Sequence, residues 1–206
     1  MASEVDIANR ALSKLGEARI TSLTDNNKPA RAMNARYTFL RDAELMAYPW
    51  RFAVKRVQLA ALTSTPDWGY SVMYQVPSDN IKTISVGGAA INAGAIGVMY
   101  EASGYRTAEE APYEIIEGYI HTNLSAPLDY EYIAKITDSG QFHPLFVEAL
   151  ACRLAADAAD ELTGSPGKMD RAELSYKETI KEARRSDALM RPPRRRNANS
   201  WIESRV

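Results

Sequence analysis

The sequence predicts an α+β fold: an antiparallel helical bundle interrupted by a small β-rich section, with an extended C-terminal tail. Two observations point there. Apolar residues recur at helical spacing near both ends of the chain, whereas much of the stretch between about 54 and 134 alternates at period two. Prolines mark the changes: Pro49 closes the first helical part, and Pro192-Pro193 forbid helix beyond the last. The expected organisation is a bundle built from 1–50 and 141–190, an inserted β-rich section over 51–140, and a basic flexible tail over 191–206.

The helix expected from His143 to about Leu162 organises the chain. Pro144 suits its first turn and Gly164 the position just past its end. Leu145, Val147, Ala151, Cys152, Leu154, Ala155, Ala156, Ala158, Ala159 and Leu162 share one broad face, with Arg153, Asp157, Asp160 and Glu161 opposite. Phe146 and Leu150 fall on the polar side, so its first turns are expected to be buried all round. Its many alanines allow close helix packing.

At the start of the chain, Ser3 reads as an N-cap answered by Asp6, and Gly16 as the stop. Ile7, Ala8, Ala11, Leu12 and Leu15 form the apolar face between them. A second helix, about 29–47, follows the capping run Thr24–Asn27. It shows two apolar faces: Met33, Tyr37, Leu40 and Ala47 on one, and Ala32, Ala35, Phe39, Ala43 and Met46 on the other. That pattern places it between two layers. Glu44 falls on the first face, so an arginine such as Arg10 or Arg51 is expected beside it. Pro49, Trp50 and Phe52 then read as a structural junction of aromatics wedged against the helices.

In the β-rich section, strands are expected at 54–59, 70–76, 81–86, 113–117, 119–122 and 128–134, with Gly87-Gly88 as a hairpin signal. Residues 89–112 are rich in Ala and Gly and receive no element. Eight of the eleven tyrosines lie between 70 and 132. They suit either a small sheet core or a protein-binding surface, and Tyr70, Tyr74, Tyr130 and Tyr132 are the candidate interface residues. A last helix from about Lys168 to Leu189 turns Met169, Ala172, Tyr176, Ile180, Ala183 and Leu189 inward.

Composition bounds the function. The 206 residues are 46% hydrophobic and 25% charged, enough for a real core. No apolar run approaches the ~18–20 residues that cross a membrane, and the first residues do not read as a signal peptide. A single cysteine, Cys152, excludes an intramolecular disulfide and fits a reducing compartment. Net charge is −1, but residues 191–206 carry +4 and the rest −5. A mildly acidic body is not expected to grip passing DNA.

Catalytic signals are weak. His121 and His143 have no second ligand at metal spacing, and Cys152 sits on an apolar helix face. There is no G-x-S-x-G and no phosphate-binding glycine motif. No catalytic residue, metal or cofactor is therefore expected. The acidic pairs Glu109-Glu110 and Asp129/Glu131 fit a solvated surface better than a glycosidase pair. The tail is the most distinctive feature. Arg191, Arg194, Arg195, Arg196 and Arg205, with Trp201 and Ile202, make a charged peptide with apolar anchors. It suits an acidic groove on another protein, nucleic acid, or an inert solvated terminus.

Several stretches, in order, resemble the tail tubular protein A family, the head-to-tail adaptors of tailed bacteriophages. They are Ile7–Gly16 (IANRALSKLG), the second helix running into Tyr48–Ala53 (YPWRFA), Tyr74–Asn80 (YQVPSDN), Ala126–Asp138 (APLDYEYIAKITD) and Phe142–Gly164. The resemblance implies an α+β virion protein at the head-tail junction, present in the host cytoplasm during assembly. It implies a homo-oligomeric ring, a dodecamer, bound beneath the portal protein. A tail nozzle resembling tail tubular protein B, and tail fibres or spikes, would assemble on that ring, with genomic DNA passing through its lumen. On this reading the tail arginines, Trp201 and Ile202 are candidate portal contacts and the protein is not an enzyme. The alternatives are an adaptor with peptidoglycan-hydrolase activity and a nucleic-acid-binding accessory protein acting through the arginine tail.

Overall fold

The computed structural model describes residues 2–87, 89–90 and 113–190. It shows an α+β fold of four helices and two antiparallel sheets. Helix α1 spans Glu4–Leu15. Ser3 Oγ accepts from the Asp6 N–H at 3.1 Å, and Asp6 Oδ2 accepts from the Ser3 N–H at 2.9 Å. This reciprocal cap satisfies two donors that the helix itself cannot. Gly16 ends α1 in the left-handed region, φ 74°, where a side chain would be strained. Ile7, Ala8, Ala11, Leu12 and Leu15 are buried.

Helix α2 spans Lys28–Ala47, capped by Asn27, whose Oδ1 accepts from the Ala30 N–H at 2.8 Å. Helix α3 spans Pro144–Thr163 and packs against α1, α2 and α4. Its first turns are buried around Phe146 and Leu150, and its alanines face the neighbouring helices. Helix α4 spans Pro166–Leu189. Arg36 reaches Asp157 and Glu161, while Glu44 reaches Arg153, so α2 and α3 run antiparallel. The Gly164 turn makes α3 and α4 antiparallel as well.

Between α2 and α3 lie β1 (Val54–Leu59), β2 (Val72–Gln75), β3 (Asn80–Val86), β4 (Ala89–Ala90), β5 (Tyr113–Ile116), β6 (Tyr119–Thr122) and β7 (Leu128–Ala134). One sheet has the order β1-β7-β3-β4, the other β2-β6-β5. β7 sits inside the first sheet and is buried at Leu128, Tyr130, Tyr132, Ile133 and Ala134. The sheet is tied to the bundle by the Ala134 N–H, which donates to the Ala53 carbonyl at 2.7 Å, and by Lys135, 3.0 Å from Asp42 of α2. Buried residues of helices and strands form one continuous core. Gly87, φ 60°, turns β3 into β4 where a Cβ would fall 2.4 Å from the Leu124 side chain. No helix among the described residues is long and apolar enough to cross a membrane.

Three expectations are corrected. The second apolar face of α2 is covered only in part by the described residues: Ala32 is buried, but Phe39 is 73% exposed and Met46 half exposed. The sheet instead meets α2 on the side of Arg41 and Asp42, which Lys135 and Glu4 neutralise. On α4, Met169 and Leu189 point outward, whereas Ala172, Ile180 and Ala183 are buried and Tyr176 half-buried. Glu44 does not pair with Arg10 or Arg51. Arg10 is taken by Glu148, and Arg51 bonds the carbonyl of Met190.

Candidate interaction surfaces

The junction residues form an aromatic cluster at the foot of the bundle. Trp50 is buried, its ring edge-on to Phe146 at 5.0 Å and to Tyr48 at 4.8 Å. Phe52 packs on Phe142 at 5.7 Å and on Phe146 at 5.1 Å. Tight local geometry puts them there. Half-buried Pro49 stops α2, and the Ala53 and Val54 N–H groups both return to the Trp50 carbonyl. The indole N–H donates to the Glu44 carbonyl at 2.9 Å, so the last turn of α2 is capped by a side chain from beyond it.

Above the cluster, Glu44 is sealed between three helices. One oxygen, Oε1, is held by Arg153 of α3 and by the Tyr176 hydroxyl of α4, which donates at 2.5 Å. Arg153 also donates to the Tyr176 oxygen at 2.9 Å. The other oxygen, Oε2, has no hydrogen-bond partner. Burial, reinforced by the adjacent carboxylate, raises the Tyr176 pKa, so the phenol stays protonated and donating. This triad links α2, α3 and α4 through one carboxylate oxygen.

The tyrosines proposed as an interface are mostly inside, and that expectation is corrected. Tyr74 is fully buried, and its hydroxyl donates to the Leu124 carbonyl at 2.8 Å. Tyr130 and Tyr132 stack at 5.3 Å. The Tyr130 hydroxyl bonds Thr83 at 2.7 Å, and Tyr132 donates to Asp79 at 2.8 Å. Desolvation raises the pKa of all three. Burial works against the Asp79 charge, but Lys55 and Tyr132 outweigh it and lower its pKa. These rings are the sheet core and offer no surface to a partner. Tyr70 is half-buried. Arg191, Arg194, Arg195, Arg196, Trp201, Ile202 and Arg205 lie outside the described residues.

Of the groups weighed for chemistry, His143 and Cys152 have structural partners. His143 caps α3, its Nδ1 accepting from the Leu145 N–H at 3.4 Å. His121 lies in β6 opposite Glu114 and Met73. The Cys152 thiol is buried against the hydroxyls of Ser175 and Thr179. Among the described residues, no group of three His, Cys, Asp or Glu side chains is placed to hold a metal. An open cleft of about 730 Å³ beside α1 is lined by Arg10, Lys14, Arg19, Asp6 and Glu148. Glu148 there bridges Lys14 at 2.5 Å and Arg10 at 3.3 Å.

What remains for a partner are large apolar side chains left in water on separate segments. The most exposed include Phe39 and Met46 on α2, Trp68 in the loop before β2 (82% exposed), and Leu174 and Leu189 on α4, with Met190 just past its end. Sequence reading missed these surfaces. The wheel marks Phe39 and Met46 as apolar, but an apolar stripe looks the same whether its cover is inside the chain or outside it. No protein-family model and no curated protein matches the chain.

Proposed function

We propose that this protein is a structural head-to-tail adaptor of a bacteriophage virion. In that role it forms a ring beneath the portal, the tail nozzle assembles on the ring, and DNA passes through it. One structural observation supports the reading: large apolar groups are exposed on α2, on the Trp68 loop and along α4. An adaptor must be covered laterally by its neighbours and axially by two different partners, and apolar groups exposed at separate places suit such a part. The order of the family-like segments from Ile7 to Gly164 supports it too. The basic segment 191–206 then serves as the arm toward the portal, and the acidic remainder of the chain keeps the lumen from binding DNA.

Electron microscopy of the purified chain, alone and mixed with the portal of its phage, tests the reading. Rings docked on the portal are the expected result. A chain that stays monomeric with the portal present overturns it. Cell-wall digestion in a zymogram would instead select the hydrolase reading.

A further inference from the structure

The outer side of α2 has no cover among the described residues. On a helix, Lys28, Ala35, Phe39 and Met46 fall within about 40° of one another, forming one stripe along its length. Phe39 and Met46 are its large members. Arg36 borders that stripe and is shared by two α3 carboxylates, Asp157 at 2.8 Å and Glu161 at 2.7 Å. Both acids are about half exposed, and Asp160 beside them is exposed too. Around Arg36 the border thus carries three carboxylates to one guanidinium, with Lys28 as the one cation of the stripe itself, at its far end.

The described chain ends beside the C-terminal end of α2. Arg51, just past α2, bonds the Met190 carbonyl through its side chain, and its backbone N–H donates to Asp187 at 3.0 Å. Tyr48, the last cap of α2, reaches the Arg184 carbonyl at 3.4 Å. The segment that follows has 16 residues, a net charge of +4, and the apolar pair Trp201-Ile202. Six extended residues span about 20 Å. The distance along α2 from Ala47 to Arg36 is about 16 Å. Arg194–Arg196 can thus reach the level of Asp157 and Glu161, with enough chain beyond them to return Trp201 to Phe39.

We propose that in the free protein residues 191–206 lie along the outer face of α2, with Trp201 and Ile202 on Phe39 and Met46 and the arginines against the α3 carboxylates. Tethering favours the chain's own segment over that of another copy. A short link gives an effective concentration of order millimolar, above the micromolar concentration of free copies. The proposal concerns the free chain and does not rest on the adaptor reading, so either can fail alone.

Trypsin digestion of the full chain tests it, with cleavage at Arg194–Arg196 followed by mass spectrometry. The wild type should be cut there at least about tenfold more slowly than Phe39→Ser or Trp201→Ser, at a rate independent of protein concentration. Trp201→Ser lies beyond the folded helices, so it keeps the comparison valid if Phe39→Ser perturbs the fold. Equal cleavage in the wild type and Trp201→Ser overturns the proposal. Protection that grows with protein concentration also overturns it, because the segment then covers a neighbouring copy.

Discussion

Glu44 of α2 and Arg153 of α3 form an ion pair that is buried at one end and wet at the other. The carboxylate side chain is 1% exposed and the guanidinium 34%. The asymmetry decides what each substitution does. Arg153→Met strands a buried carboxylate and should cost about 3–5 kcal/mol, whereas Glu44→Leu with Arg153→Met removes both charges and should recover most of that loss. Urea unfolding of the two variants checks it. Equal destabilisation by both would show that the carboxylate has another means of neutralisation.

Trp50→Ala should cost about 3–5 kcal/mol, because it opens a cavity against Phe146 and leaves the Glu44 carbonyl without its donor. Trp50→Phe keeps most of the packing and isolates the lost hydrogen bond, for about 1–3 kcal/mol. Thermal melts compare the two, and an unchanged melting temperature for Trp50→Ala would place the indole outside the core.

The Glu148 carboxyl is held below its ordinary pKa, chiefly by the hydrogen bond from Lys14, with burial opposing and Arg10 assisting. A depressed folded-state pKa adds stability above the unfolded value, near 4.5. That stability disappears as pH falls through the folded value. Glu148→Gln should therefore melt below wild type at pH 7, with the gap narrowing as the pH drops below 4.5. A gap constant with pH would show that shape, not charge, accounts for the difference.

Glu117 has φ 51° and precedes Gly118 at φ 83° in the turn that joins Ile116 of β5 to Tyr119 of β6. Two consecutive left-handed residues suit a hairpin turn in which asparagine or glycine is preferred at the first position. Glu117→Asn should raise stability by about 0.5–1 kcal/mol, or the melting temperature by about 2 °C. A lower melting temperature would mean that the Glu117 side chain contributes more than its backbone strain costs.

The limits of the elements were legible in the sequence because their causes are local. Ser3 with Asp6, Gly16, Asn27, Pro144 and Gly164 each act within one turn of helix, and all cap or stop the helix expected of them. The strand at 128–134 was legible from its alternation. The α+β class follows from these together. The basic charge of 191–206 and the lone cysteine are also properties of the sequence itself.

Tertiary structure alone decided which apolar groups meet inside the chain. Periodicity says that Phe39 and Tyr132 each lie on an apolar face, but not whether another element of the same chain covers it. The sheet packs on the Asp42 side of α2, leaving Phe39 uncovered among the described residues, while Tyr132 closes onto Asp79 within the sheet. The partner of Glu44 was equally undetermined. A buried carboxylate requires a cation, but 109 residues separate it from Arg153, and only the antiparallel packing of α2 on α3 brings that guanidinium to it.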